Sequence, residues 1–195
     1  MSPFPILRDA NGRCGFPALR PVRADEAEAL QAYVRGLSAE ARYNRFFGAA
    51  SELPPAELAR ALAANDRDRL TLLLTLRADG REIVIGEARV ALACAERAGE
   101  FGMSLGDGWR GRGLGAALLG AIEQRAAADG IETLFADTLR SNEAMLGLAR
   151  AHGYRLGPGA ESRAVRLRKA LDGVAPERPC RKWSVASDTA PQIAA

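Results

Sequence analysis

The apolar positions of this chain recur with two different periods, and each change of period marks a change of element. Residues 70–77 and 82–93 are strand-length runs of Leu, Ile, Val, Thr and Ala, separated by Asp79-Gly80, a dipeptide suited to a hairpin turn. Residues 18–23 read as an earlier strand, with residues 5–8 as its hairpin partner across Asp9-Ala10-Asn11-Gly12. A further strand over 101–105 is entered through Arg97-Ala98-Gly99. Elsewhere the period is that of a helix. Leu114, Leu118, Ile122 and Ala126 recur four apart and predict a helix over 116–128, stopped by Asp129-Gly130. Three helices precede the strands: one to Leu37 capped by Asp25, one over 38–47 capped by Ser38 with Glu40 in its first turn, and one from Pro54-Pro55 to Ala64. After the glycine-started helix come a strand over 132–137, a helix over 142–152 and a closing strand over 162–171. From Asp172 the pattern dissolves among Pro176, Pro179 and Pro191. The expected organisation is a strand or hairpin extension over 1–17, one α/β (α+β) domain over 18–171 and a mobile tail over 172–195.

Composition narrows the function classes. The 195 residues suit one domain with a real core. No stretch approaches the ~20 apolar residues of a membrane span, and the start has neither a basic region nor an apolar one, so no membrane partner and a cytoplasmic location are expected. Cys14, Cys94 and Cys180 are widely spaced and accompanied by the single His152, which supports neither a disulfide framework nor a metal site. The net charge is +3, but the arginines are scattered and aromatic residues are few, so no nucleic-acid partner is expected. The oligomeric state is left open.

The candidate chemistry begins at Arg110-Gly111-Arg112-Gly113-Leu114-Gly115, a glycine-rich turn leading straight into a helix. A helix start has backbone N–H groups without partners and a partial positive charge, and glycines let the main chain approach an anion closely. A pyrophosphate-bearing ligand is the expectation. Two motifs overlap here. Gly111-x-Gly113-x-x-Ala116, with Asp137 about twenty residues on, satisfies a dinucleotide fingerprint. Arg110-x-x-Gly113-x-Gly115 satisfies the acyl-CoA pattern of the GNAT acetyltransferases. Too little chain follows for the further βα units of a dinucleotide-binding domain, whereas the helices and hairpins ahead of the turn suit the GNAT order.

Four blocks in order carry a fuller resemblance: Leu19-Arg-Pro-Val-Arg23, then Leu37-Ser-Ala-Glu-Ala-Arg-Tyr-Asn-Arg-Phe-Phe-Gly48, then Glu100-Phe-Gly-Met-Ser-Leu105 before the turn, and Asn142-x-x-Met145 leading to Gly153-Tyr154. Together they resemble the GNAT domain of bacterial Pat-like protein lysine acetyltransferases. The resemblance implies a GNAT acyl-CoA N-acyltransferase fold: a mixed, mostly antiparallel sheet flanked by helices and splayed between its fourth and fifth principal strands, 101–105 and 133–137. It implies acetyl-CoA, or another acyl-CoA, as co-substrate, with Arg110, Gly111, Arg112, Gly113, Leu114 and Gly115 at the pyrophosphate and Asn142 at the CoA arm. Asn142 also suits a helix cap.

The acceptor of such a reaction is a primary amine, with a protein lysine side chain foremost. A lysine-type amine is protonated at neutral pH, because its pKa is near 10.4, and it attacks a thioester only after losing a proton to a base. Glu100 matches the catalytic glutamate of the Pat-like enzymes; Glu87 and Asp137 are the reserves. Backbone N–H groups of Met103, Ser104 and Leu105, freed by the splay, suit the developing oxyanion. Many GNAT enzymes carry a tyrosine where this chain has Ala149, which leaves the group that protonates the departing thiolate open. Tyr154 is expected in the core, His152 at a helix end without catalytic role, and Trp109 beside the turn or over a sheet edge. Arg42, Tyr43 and Arg45 are candidates for the acceptor groove, although packing is the commoner role on a helix. The alternatives are an acetyltransferase of small amines and a non-catalytic acyl-CoA-binding sensor.

Overall fold

A computed structural model describes residues 7–8, 14–63, 69–78, 80–93 and 97–171. The expected turn over 9–12, Pro5, Asp79, Cys94, Cys180 and the expected tail over 172–195 lie outside the described residues. The elements in chain order are β1 (Leu7–Arg8), β2 (Cys14–Pro21), α1 (Ala27–Gly36), α2 (Ala39–Phe46), α3 (Pro55–Leu62), β3 (Arg69–Ala78), β4 (Arg81–Ala93), β5 (Ala98–Leu105), α4 (Leu114–Ala128), β6 (Thr133–Leu139), α5 (Glu143–Ala151), β7 (Arg155–Pro158) and β8 (Ala164–Ala170). The sheet order is β1-β2-β3-β4-β5-β6-β8-β7. β5 and β6 are its one parallel pair, because α4 must carry the chain back across the sheet between them.

Each face of the sheet is covered by helices, so each carries its own core. On one face Leu118, Leu119 and Ile122 of α4 pack with Leu134, Leu167 and Phe101 of the sheet. On the other, Leu30, Val34 and Leu37 of the α1 region pack with Leu53 and Leu73. Fully burying a leucine contributes about 1.5–3 kcal/mol, so these two layers fix the helices against the strands.

Local signals and the fold differ at three points. Asp25 does not cap α1: Glu26 holds the cap position without capping it by its side chain, which instead accepts from Arg20 Nη1 at 2.8 Å and from the Arg23 N–H at 2.7 Å. The guanidinium outcompetes the helix end for the carboxylate. β1 pairs with the start of β2, Leu7 opposite Gly15, so β2 begins earlier than residue 18. β7 is an unexpected strand, a four-residue edge containing Gly157 and Pro158 that pairs only with β8. No helix among the described residues is long and apolar enough to cross a membrane.

Candidate active site

β5 and β6 pair only from Ala98 opposite Thr133 to Glu100 opposite Phe135. Beyond that pair they separate: β5 stays on β4 as far as Leu105 opposite Gly86, and β6 stays on β8 as far as Leu139 opposite Ala164. Each strand keeps one ladder and loses the other. The Gly106 N–H donates to Ile85 O at 2.9 Å, and in an antiparallel ladder the direction of N–H and C=O alternates, so the amides of Met103 and Leu105 point into the gap. That of Ser104 points to β4. The Ser104 hydroxyl is also turned aside, donating to Glu87 Oε1 at 3.0 Å and lying 3.0 Å from the Tyr33 hydroxyl.

A cavity of about 840 Å³ fills the gap and runs from the glycine turn to Glu100. At the turn, Gly113 occupies the α4 cap position with φ 77°, and Gly111 has φ 71°. A Cβ built at either glycine meets no protein atom within 4 Å, and both glycines hold a left-handed backbone that other residues adopt only with strain. Arg110 borders the cavity and is tied to Asp107 at 3.0 Å. Asp107 also accepts from the Ser38 N–H and hydroxyl, each at 3.0 Å; burial alone would raise its pKa, but those bonds hold it below the ordinary value. The start of α2 is thereby tied to the turn.

The remaining turn residues divide by side chain. Arg112 leans outward, donating to Arg8 O at 3.2 Å with its guanidinium 5.2 Å from the centre of the Trp109 ring, which settles Trp109 beside the turn. Leu114 is buried in the core, so Arg112 and Leu114 can meet a ligand there only through the main chain. Asn142 borders the cavity while its Oδ1 accepts from the Met145 N–H at 3.2 Å and its Nδ2 donates to Thr138 at 3.3 Å: the cap is present. Ala149 is buried and Tyr154 packs under Phe101 with ring centres 5.6 Å apart, outside the cavity lining. His152 closes α5 with its Nδ1 3.5 Å from Glu123.

The three candidate carboxylates have different surroundings. Glu87 is fully buried, with Oε1 2.6 Å from Arg45 Nε and Oε2 2.9 Å from Arg89 Nε. Burial alone would raise its pKa, but the Arg45 and Arg89 charges outweigh that and hold it at about 2. Asp137 is locked to Arg166 by a two-pronged pair at 2.5 and 2.7 Å, which keeps its pKa below the ordinary value. Glu100 is exposed, borders the cavity at the point where the splay opens, and has no ion-pair or hydrogen-bond partner for its side chain among the described residues. Glu87 and Asp137 are ion-paired to guanidinium groups, whereas Glu100 has no such pair and feels the Arg166 charge only at longer range.

The α2 segment serves the scaffold more than the cavity. Arg42 reaches back to the carbonyls of Leu37 and Arg35 at the end of α1, and the Tyr43 hydroxyl accepts from Arg163 at 2.8 Å; neither borders the cavity. Arg45 does border it, yet its charge is spent on Glu87, and its guanidinium lies where Gly102 has no side chain: a Cβ there would come within 2.9 Å of Cζ. The pairing of Arg45, Glu87, Arg89 and Ser104 was invisible to local spacing. The narrow motif containing Arg45 and the glycine at position 102 were its only traces.

An elongated acyl-CoA fits what is here: an open glycine turn at a helix start, two strand amides aimed into a gap, and an uncommitted carboxylate at the far end. The chain matches the family model described as an acetyltransferase (GNAT) domain over residues 18–155. It is 26% identical over 136 residues to Acetyltransferase PA5475 of Pseudomonas aeruginosa, covering 70% of this chain and 73% of that protein. The crystal structure of the GNAT domain of S. lividans PAT superposes with a TM-score of 0.71 at 26% identity, over 85% of this chain and 96% of that one. A phosphinothricin acetyltransferase from Sinorhizobium meliloti, crystallised with AcCoA, shares the fold at a TM-score of 0.63 and 23% identity, over 83% and 96% of the two chains. With the splayed sheet and the glycine turn in place, the match over residues 18–155 makes this chain a member of the GNAT acetyltransferase family.

Proposed function

We propose that this enzyme transfers acetyl from acetyl-CoA to a primary amine, foremost a protein lysine side chain, with Glu100 as the general base. The observation that carries the reading is the single cavity joining the glycine turn to the uncommitted Glu100 carboxylate. Acetyl-CoA supplies the activated acyl group, and the main chain of Gly111, Arg112, Gly113, Leu114 and Gly115, with Arg110 and Asn142, holds its phosphate-bearing arm. The Met103 and Leu105 amides face the thioester oxygen as it takes on charge. Glu100 accepts a proton from the ammonium, directly or through water; the neutral nitrogen forms its bond to the carbonyl carbon, the carbon–sulfur bond breaks with the electron pair leaving on sulfur, and the second nitrogen proton passes to the thiolate or to water. A thiolate with a pKa near 8.5 departs without a dedicated acid, which accommodates Ala149. Glu40 and Glu143, which also line the cavity, have no ion-pair partner among the described residues.

The acceptor class is tested by mass spectrometry of lysate proteins treated with the enzyme and labelled acetyl-CoA. Lysine labelling well above an enzyme-free control is expected. Labelling at the control level, with rapid acetylation of one small amine, would transfer the assignment to small-molecule acceptors; acetyl-CoA binding with no turnover on any amine would leave a sensor.

A further inference from the structure

A second cavity, about 570 Å³, lies on the α2–α3 face of the sheet and meets the first at Arg45, Glu100, Phe101 and Gly102. The strand register lays out its floor. Arg69, Ala91 and Glu100 form one rung across β3, β4 and β5; Thr71, Arg89 and Gly102 form the next. Successive residues of a strand point to opposite faces, so these two-residue steps keep the six positions on the same side; the small Ala91 lies between Arg69 and Glu100, while the Arg45 guanidinium fills the space over Gly102. Neighbouring strands are about 4.8 Å apart, which puts the backbones of Arg69 and Glu100 on the order of 10 Å apart.

The charges of this groove do not balance. Arg60 is paired with Glu57. Arg45 and Arg89 share the one carboxylate of Glu87. Arg89 Nη2 is buried with no hydrogen-bond partner, and Arg69, exposed at the far end, has no partner for its side chain among the described residues. A buried guanidinium nitrogen without an acceptor is costly, and the natural acceptor is an anionic oxygen. The opposite end of the same groove is Glu100, which faces the amine.

Resting on the amine-transfer reading above, we infer that this groove takes an anionic group of the acceptor itself, so that the preferred substrates are amines bearing a carboxylate roughly 6–10 Å from the reacting nitrogen. Arg69 holds the carboxylate, with the Arg89 charge behind it, while Glu100 meets the amine, and the bipolar groove aligns the acceptor by both ends. The chemistry is shared by two sources: a small amino acid whose amine is remote from its carboxylate, and a lysine followed or preceded by an acidic residue in a protein.

Matched acid and amide acceptors test this. One arm compares Nα-acetyl-lysine with its carboxamide and 5-aminopentanoate with 5-aminopentanamide. The other compares lysine peptides flanked by Glu with the same peptides flanked by Gln. In at least one arm the acid member should have a kcat/KM about 10-fold or more higher, as a charge-assisted bond implies, and the arm showing it identifies the source. Arg69→Gln should bring that ratio close to one, with acetyl-CoA affinity unchanged. Equal kcat/KM within every pair, or a preference that survives Arg69→Gln, would overturn the assignment while leaving amine transfer standing. Turnover on no member of any pair, with acetyl-CoA still bound, would sink both.

Discussion

Glu87 lies buried beneath the site rather than in the lining of its cavity. Its carboxylate neutralises two guanidinium groups beneath the junction of the two cavities, and its hydrogen bond with Ser104 fixes the strand whose amides face the gap. Glu87→Gln keeps the shape but leaves Arg45 and Arg89 without their counter-charge, and breaking such a buried pair costs about 3–5 kcal/mol. Urea titration of the variant should show a loss of that order. The pH dependence follows from the carboxyl being held at about 2 when folded against an ordinary 4.5. Its contribution is complete above the unfolded value and is lost as pH falls from about 4.5 towards 2, so the parent should lose stability across that window more steeply than Glu87→Gln. Asp137, also held low by Arg166, contributes in the same direction. None of this was readable in the chain order, since Arg45 and Ser104 lie 42 and 17 residues from Glu87 and meet it only after the sheet and α2 have packed.

At the scale of elements, what was legible was what local chemistry determines. Ser38 caps α2 as its position indicated, with the Ala41 N–H donating to its hydroxyl at 3.1 Å. The hydroxyl serves twice, because it also donates to Asp107 beside the glycine turn. Ser38→Ala should therefore cost more than the ~1 kcal/mol of a cap alone, and should weaken acetyl-CoA binding as well as lower the melting temperature. Calorimetry on the variant reads both. The glycine turn was equally legible, and Gly113 holds a φ of 77° there. Gly113→Ala should cost roughly 1–2 kcal/mol through that backbone alone and reduce acetyl-CoA affinity, with the bulkier, β-branched Gly113→Val worse. Equal affinity in parent and alanine variant would remove the turn from the phosphate site. β7 escaped because four residues with a glycine and a proline carry no strand period, and the place of Glu26 at the start of α1 was not legible because its pairing with Arg20 is made by folding.

Over the whole molecule, the splay converts a sheet into a site. β5 and β6 are held apart because each stays paired on its other side, and the opening places strand amides, the glycine turn and Glu100 around one volume. The sequence pattern carried the fold and the two ends of this volume, through the helix start at Gly113 and the resemblance at Glu100. It did not carry the second cavity, whose arginines come together only through the register of β3, β4 and β5. The central claim, that Glu100 removes the amine proton in this cavity, is tested most directly by single-turnover acyl transfer to a lysine peptide by Glu100→Gln, followed from pH 7 to 10 alongside acetyl-CoA affinity. The account predicts unchanged affinity, a rate lowered about 10²–10⁴-fold at neutral pH, and a gap that narrows as pH approaches the amine's own value near 10.4. A variant that turns over at the parental rate at pH 7 would contradict it.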